Sequence, residues 1–314
     1  MRFLLRLSGE HDRLPLAELR AVLEGESIEH SLELCGRLVL LDAVVDEPSF
    51  LGRLAYTLCA GEVVGEGKTL DLLAGEVFDS MEDVLSFKVY ASQDIAKKFG
   101  GLLDRLGWRV DLVNPDVGID VVDFNGVYVS AVRLDFERTY EKRKPQYRPY
   151  FHPTSMHPKL ARCLVNLSHV SRGDFVVDPF CGTGGILIEA GLMGMVVGGS
   201  DVDGRMVDGC LQNLRVYGLK ADIKIGDAVD MSYKADAIVT DPPYGRASYT
   251  SEDVDLLYDR FLVSARGFLD VGSHLVLMLP SDKVFETELF DVVDWFDFRI
   301  HKSLTRRIWV LTAI

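Results

Sequence analysis

The run Phe175-Val176-Val177-Asp178-Pro179-Phe180-Cys181-Gly182-Thr183-Gly184-Gly185-Ile186-Leu187-Ile188 passes from an apolar strand, through an acid and a glycine turn, into an apolar helix. Glycines admit left-handed torsions and let the backbone come close to a bound molecule. A strand that ends in such a turn and feeds a helix marks the place where an open α/β sheet holds its ligand. A plain tight turn would also use glycine, so the spacing matters. It is GxGG and not the GxGxxG of dinucleotide sites, and Asp178 stands where a pyrophosphate would be repelled. A carboxylate there suits a cationic partner, such as the ammonium of a methionine moiety, whose carboxylate would prefer backbone N–H donors.

Elements alternate on both sides of this run. A helix from about Pro158 to Ser168 precedes it, and the helix Ile186 to Leu192 follows. Next come strand Val196 to Gly199, helix Arg205 to Tyr217, and strands Asp222 to Ile225 and Ala237 to Thr240. Helix Leu256 to Leu269, strand His274 to Leu279, and a closing pair over Trp295 to Lys302 and Arg306 to Thr312 complete the half. Strands alternating with helices predict a parallel, doubly wound sheet, and the short link in the closing pair predicts an antiparallel hairpin at its edge.

The preceding half reads as α+β. Phe3 to Leu7 alternates with a β period, Pro15 to Glu24 is helical, and Cys35 to Val45 holds strand-like runs. Ser86 to Tyr90 reads as a strand and Gln93 to Leu106 as an amphipathic helix. Strands over Arg109 to Val113, Gly118 to Asp123 and Val127 to Leu134 follow, the last two joined by the hairpin signal Asn125-Gly126. Between the halves, Pro145, Pro149, Pro153 and Pro158 punctuate a basic, aromatic stretch that cannot hold a regular helix. The expected organisation is two small units over 1–55 and 56–140, a linker over 141–156, and an α/β domain over 157–314.

Three further acids stand where strands end. Asp201 follows Val196 to Ser200 and can accept hydrogen bonds from ribose hydroxyls, or cap the next helix as Asp203 can. Asp227 follows the third strand in Gly226-Asp227-Ala228 and could take an adenine amino group, or be a solvated loop acid. Asp241-Pro242-Pro243-Tyr244-Gly245 follows Ala237 to Thr240 directly. Two prolines fix the backbone and hold a carboxylate and an aromatic ring in a rigid relation. An arylamine is a poor nucleophile because its lone pair is delocalised into the ring. A carboxylate and a carbonyl accepting its two N–H groups would favour a pyramidal nitrogen, while Tyr244 stacks on the extruded base.

These residues carry a resemblance. The chain resembles class I S-adenosylmethionine-dependent amino-methyltransferases, in which a (D/N/S)PP(Y/F) motif holds the target amine. It has the F-x-P-x-x-x-x-P pattern seen before their first strand, as Phe151-His152-Pro153-Thr154-Ser155-Met156-His157-Pro158. The order RPYFHPTSMHPKLARCLVNLS, DPFCGTGGILIEAG and TDPPYGRAS, behind an N-terminal part, resembles the archaeal tRNA guanine-10 N2-methyltransferase family. The resemblance implies a Rossmann-like class I methyltransferase domain behind a ferredoxin-like unit (1–55) and a THUMP RNA-binding domain (56–140). It implies that Asp178, Pro179, Gly182, Thr183, Gly184 and Gly185 surround the methionine part of S-adenosylmethionine, and that Thr154 and Ser155 bond its carboxylate. Asp201 would hold the ribose, and Asp227 with Ala228 the adenine. Asp241, the Pro242 carbonyl and Tyr244 would hold the guanine. THUMP domains bind the acceptor end of tRNA, so Lys97, Lys98, Arg133, Arg138, Lys142, Arg143 and Lys144 are candidates for phosphate contacts.

Composition bounds the rest. With 314 residues, 48% hydrophobic and 26% charged, the chain reads as a globular protein able to bury a sizeable core. The start does not read as a signal peptide, because Arg6 interrupts Phe3-Leu4-Leu5. Pro179 to Ser200 carries only Glu189 as charge, but seven glycines break it as a membrane span. The five cysteines, Cys35, Cys59, Cys163, Cys181 and Cys210, have no metal or disulfide spacing, which fits reduced thiols in a cytoplasmic protein and no metal. A monomer is the plain expectation for assembly. A net charge of −14 argues against non-specific nucleic-acid binding, yet Glu141 to Arg148 and the cluster Arg299, His301, Lys302, Arg306 and Arg307 could each form a basic face. A DNA amino-methyltransferase, a protein glutamine methyltransferase (with Asn where Asp241 stands) and an RNA-binding module with a vestigial cofactor fold remain as alternatives.

Overall fold

The structure is a computed structural model that describes residues 1–136, 139–230, 234–243, 254–283, 287–301 and 304–314. It divides into two compact units. Met1–Glu10, Ile28–Gly52 and Tyr56–Glu137 form the first; His11–Ser27, Arg53–Ala55 and Arg138–Ile314 form the second.

The first unit is built on one eight-stranded sheet. In chain order it holds β1 (Arg2–Leu7), β2 (His30–Cys35), β3 (Leu38–Ala43), β4 (Thr57–Gly67), β5 (Ser86–Tyr90), β6 (Arg109–Val110), β7 (Val117–Phe124) and β8 (Val127–Arg133). The spatial order is β2-β3-β1-β4-β8-β7-β5-β6. The expected boundary at 55/56 falls just before β4, which pairs with β1 on one side and β8 on the other, so both stretches share this sheet. The β7–β8 turn has Asn125 and Gly126 at positive φ, as its Asn-Gly pair predicts. Two helices, Leu70–Asp79 and Gln93–Leu106, bury Leu73, Val77, Phe99 and Leu103 with Phe87, Trp108 and Ile119.

The second unit begins with α1 (Leu14–Gly25); the two first-unit helices are α2 and α3. Then come α4 (Pro158–Asn166), β9 (Phe175–Asp178), α5 (Gly185–Leu192), β10 (Val196–Asp201), α6 (Gly204–Val216), β11 (Ala221–Ile225) and β12 (Ala235–Thr240). They are followed by α7 (Val254–Phe268), β13 (Leu269–Pro280), β14 (Phe290–His301) and β15 (Leu304–Ala313). The sheet order is β11-β10-β9-β12-β13-β15-β14. Strands β9 to β13 pair in parallel, whereas β15 runs antiparallel to β13 and β14. The expected doubly wound sheet and its closing edge hairpin are both present. The chain steps outward from β9 to β11 and then returns to place β12 on the other side of β9. That reversal opens a crevice at the carboxyl ends of β9 and β12.

Packing fixes this arrangement. Val177, Ile238, Leu275, Leu277 and Leu311 of the strands bury against Tyr258, Phe261, Leu262 and Ala265 of α7. Glu18 of α1 is fully buried and accepts bonds from the Ala55 N–H and the Asn166 amide, which ties α1 and α4 together. All five cysteines are free, three buried and two half-buried. Among the described residues no helix is long and apolar enough to cross a membrane.

Candidate active site

Asp178, the last residue of β9, is the deepest acid at the crevice, 2% exposed. The Phe180 N–H (3.1 Å) and the Thr240 hydroxyl (2.7 Å) both donate to its Oδ1, and Oδ2 accepts none among the described residues. Thr240 ends β12, so this bond joins the tips of the two central strands. Burial pushes the Asp178 carboxyl up to about 7, with Asp241 and Asp201 adding to the rise.

The glycine turn is shaped by what lies beneath it. Gly182 and Gly184 have positive φ. A Cβ on Gly184 would meet Cys210 Sγ at 2.7 Å, whereas one on Gly182 would meet nothing within 4 Å. Gly184 is therefore dictated by packing as well as torsion, and Gly182 by torsion with open space in front. Asp201, which ends β10, accepts from the Gly182 and Asp203 N–H groups, both at 2.9 Å, and burial raises its carboxyl. Asp227 lies beyond β11, next to this corner, because the Gly226 N–H donates to Asp201 O at 3.1 Å. Its own Oδ1 accepts from the Val229 N–H, and Ala228 beside it is buried.

The proline-rich stretch reaches the same turn. The Ser155 and Thr183 hydroxyls lie 2.8 Å apart, and the Thr154 hydroxyl is 2.8 Å from His152 Nδ1. Asn213 of α6, which sequence reading missed, donates to the carbonyls of Thr183 and Tyr150 and accepts the Tyr150 N–H. One amide thus clamps the glycine turn to the segment before α4. The Asn213 signal was an uncharged polar residue inside an amphipathic helix.

Asp241 follows β12. Its side chain is 17% exposed, and its Oδ2 accepts from Arg306 Nη1 at 2.9 Å. Its Oδ1 is buried without a hydrogen-bond partner among the described residues. Burial pushes this carboxyl up to about 7 although Arg306 pulls it down. An unburied aspartate would sit near 3.8, so the rise is the work of the surroundings and not of the residue type. Pro242 is buried, and the Tyr258 hydroxyl of α7 donates to the Pro243 carbonyl at 2.8 Å, bracing the turn. Tyr244 lies outside the described residues.

The candidate phosphate contacts spread over both units, and they differ in availability. Lys97 and Lys98 on α3 are at the surface, as is Lys142. Lys144 is half-buried and pairs with Glu141 at 2.5 Å. Arg133 donates through Nε and Nη2 to the two carboxylate oxygens of Asp120 and stacks 3.4 Å over Tyr90. Arg143 does not fit the role expected of it: it is 8% exposed and locked in two bonds to Glu189, whose charge within α5 also draws in Arg162. Arg138 lies outside the described residues. In the C-terminal cluster Arg307 pairs with Asp297, and Arg306 faces the site.

The fold and the site define a class I methyltransferase: a seven-stranded sheet with an antiparallel closing strand, a glycine turn after its first parallel strand, and an Asp-Pro-Pro corner after its fourth. Comparison with known proteins agrees. The family described as RMKL-like, methyltransferase domain, matches residues 145–302. A tRNA (guanine(10)-N2)-dimethyltransferase of Methanothermobacter thermautotrophicus is 40% identical over 337 residues, covering 100% of both chains. One of Methanocaldococcus jannaschii is 33% identical over 356 residues, covering 98% of this chain and 99% of its own. The crystal structure of TrmN from Thermus thermophilus shares the fold, with a TM-score of 0.60 and 20% identity over 100% of both chains. The chain belongs to the archaeal tRNA (guanine(10)-N2)-dimethyltransferase family.

Proposed function

We propose that this chain methylates the exocyclic N2 amine of a guanine in tRNA, at position 10, with S-adenosylmethionine as methyl donor. The observation that carries the reading is the placement of Asp241 and Asp178 at the tips of adjacent strands, in a chain related end to end to enzymes named for this reaction.

The residues present fit the donor. A buried carboxylate with an unused oxygen is unfavourable until a cation arrives, and Asp178 offers that oxygen to an ammonium. Gly182 leaves open space for close approach, and each Asp201 oxygen, though it accepts one N–H, keeps capacity for a ribose hydroxyl. Thr154, Ser155, Pro179, Thr183, Gly184 and Gly185 complete the cradle, with Asp227 and Ala228 at the adenine end. When bound, the donor supplies an activated methyl group on sulfur.

The chain's own work is to orient the amine. Asp241 Oδ1 accepts one N–H of the guanine amine, the Pro242 carbonyl accepts the other, and Tyr244 stacks on the base. The nitrogen lone pair is then turned out of the ring plane toward the donor. With its carboxyl near 7, Asp241 can take the proton that the methylated nitrogen must lose. A THUMP domain over 56–140, behind a ferredoxin-like stretch over 1–55, grips tRNA through Lys97 and Lys98, with Lys142 and Lys144 contributing from the linker. The enzyme works in the cytoplasm, where its substrate is.

The test is mass spectrometry of nucleosides from tRNA incubated with enzyme and donor, which also separates N2-methylguanosine from the dimethyl product. Asp241→Ala should yield neither product while its donor affinity stays within about threefold of wild type. A mutant with most of its rate intact would exclude the assignment.

A further inference from the structure

The closing strand brings a residue to the reacting edge that parallel strands could not. Because β15 is antiparallel, its first residues lie where β12 and β13 end. Arg306 pairs across the ladder with Pro280, the last residue of β13, and with Phe298 of β14. Asp241 follows the last residue of β12, one strand further in. The two side chains meet at 2.9 Å, and each is 17% exposed. The same Arg306 nitrogen touches Met278 Sδ at 3.8 Å, so an apolar strand residue helps set its direction. Arg307 points to the opposite face, where it pairs with Asp297 and stacks 4.3 Å over Trp295. Adjacent arginines therefore do different work.

The pairing is one-sided. Arg306 Nη1 takes Oδ2, and Oδ1 stays buried and unpartnered among the described residues. A carboxylate in such surroundings tends to neutralise itself by taking up a proton, and a protonated acid presents an O–H where an incoming amine needs an acceptor. We infer that Arg306 is the positioning residue that holds Asp241 in its charged form and turns the free oxygen toward the guanine amine. This rests on the reading that Asp241 receives that amine. Arg306 itself touches no reacting atom.

Among the described residues, the charges near Asp241 are those of Arg306 and Asp178. Arg306 on β15 lowers its carboxyl, and Asp178 at the end of β9 is the like charge across from it, its own carboxyl raised in part by Asp241. With Arg306 present the Asp241 carboxyl already stands at about 7. Removing the cation leaves burial unopposed, and burial pushes the carboxyl up. The proton then stays on Asp241 to higher pH.

The experiment compares wild type, Arg306→Ala, Arg306→Gln, Arg306→Lys and Asp241→Ala in full-length protein. It measures kcat and KM for a tRNA transcript from pH 6 to 9.5 at saturating S-adenosylmethionine, with calorimetric binding of that donor as the check on folding. For Arg306→Ala and Arg306→Gln the acid limb of kcat should move up by at least one pH unit. Their rate should fall about fivefold or more at pH 7 and return to within threefold of wild type at pH 9. Arg306→Lys should lie between them and wild type, since it keeps the charge but loses the planar fork. An unmoved limb, or a reduction equal at every pH, in variants that bind the donor overturns the inference. Activity surviving in Asp241→Ala would instead overturn the reading beneath it.

Discussion

At Asp178 both hydrogen bonds fall on one oxygen, so an amide can replace the acid without disturbing either donor. Asp178→Asn keeps an acceptor at Oδ1 for Phe180 and Thr240 and removes only the charge. The folded-state carboxyl, at about 7, lies above its ordinary value of 3.8. A group raised in this way gives stability that is complete below pH 3.8 and is lost as pH rises through 7. The wild type should therefore lose Tm relative to Asp178→Asn between pH 4 and 7, and the variant should be the more stable at pH 8. Parallel Tm curves would contradict this. Under the proposed donor site the same charge attracts the donor's ammonium, so the variant should bind S-adenosylmethionine at least tenfold more weakly at pH 8. Wild-type affinity should fall as pH drops below 7. Much of this site was legible at the residue level, because Asp178, Gly182, Gly184, Asp201 and Asp241 each close a strand or form the turn after it. Thr240, Asn213 and Arg306 were not. Their roles depend on which strands and helices lie side by side, and local pattern carries no such information.

The buried cluster on α5 shows how an element can be held by charge. Glu189 is fully buried, bonded by Arg143 through both oxygens and by Arg162 through one. Arg143 comes from the proline-rich stretch and Arg162 from α4, so one carboxylate joins three segments around the site. Removing one partner of a buried ion pair costs about 3–5 kcal/mol, because the other charge stays buried uncompensated. Glu189→Ala removes the carboxylate that faces two buried guanidinium groups, whereas Arg143→Ala leaves Glu189 with Arg162. Urea unfolding of the two variants should find Glu189→Ala the less stable, and the reverse order would show that the triad is not what holds these segments. At this scale the second half of the chain was read nearly strand for strand, since its apolar runs are bounded by Gly, Pro and Asp. In the first half, β2, β4 and α2 escaped. The β4 segment Thr57–Gly67 contains three glycines and two glutamates, poor strand formers, and becomes a strand because β1 and β8 pair with it on both sides.

For the whole molecule the difficulty is charge: −14 on a protein that must hold a polyanion. The net charge repels RNA at long range, and salt screens that repulsion within about 8 Å at physiological ionic strength. Short-range binding then has to come from a few surface cations. Those on α3 are the clearest candidates, because Lys97 and Lys98 are surface neighbours and the ion pair of Lys98 with Asp71, at 3.9 Å between exposed groups, holds it only weakly. Arg133 and Arg143, by contrast, already commit their guanidinium groups to Asp120 and Glu189. Changing Lys97 and Lys98 together to Glu should raise KM for tRNA tenfold or more and leave donor affinity and kcat at saturating tRNA nearly unchanged. If both side chains neutralise phosphates, the slope of log affinity against log salt should become shallower by about 0.7–0.9 for each phosphate no longer neutralised. A parallel double change at Asp94 and Asp104, also on α3, to Lys should tighten binding through the long-range field alone and leave the slope set by the specific phosphates in place. Equal KM in the Glu variant and wild type at 50 mM and 200 mM salt would move the RNA-binding face off this helix and onto the remaining exposed cations of the proline-rich stretch.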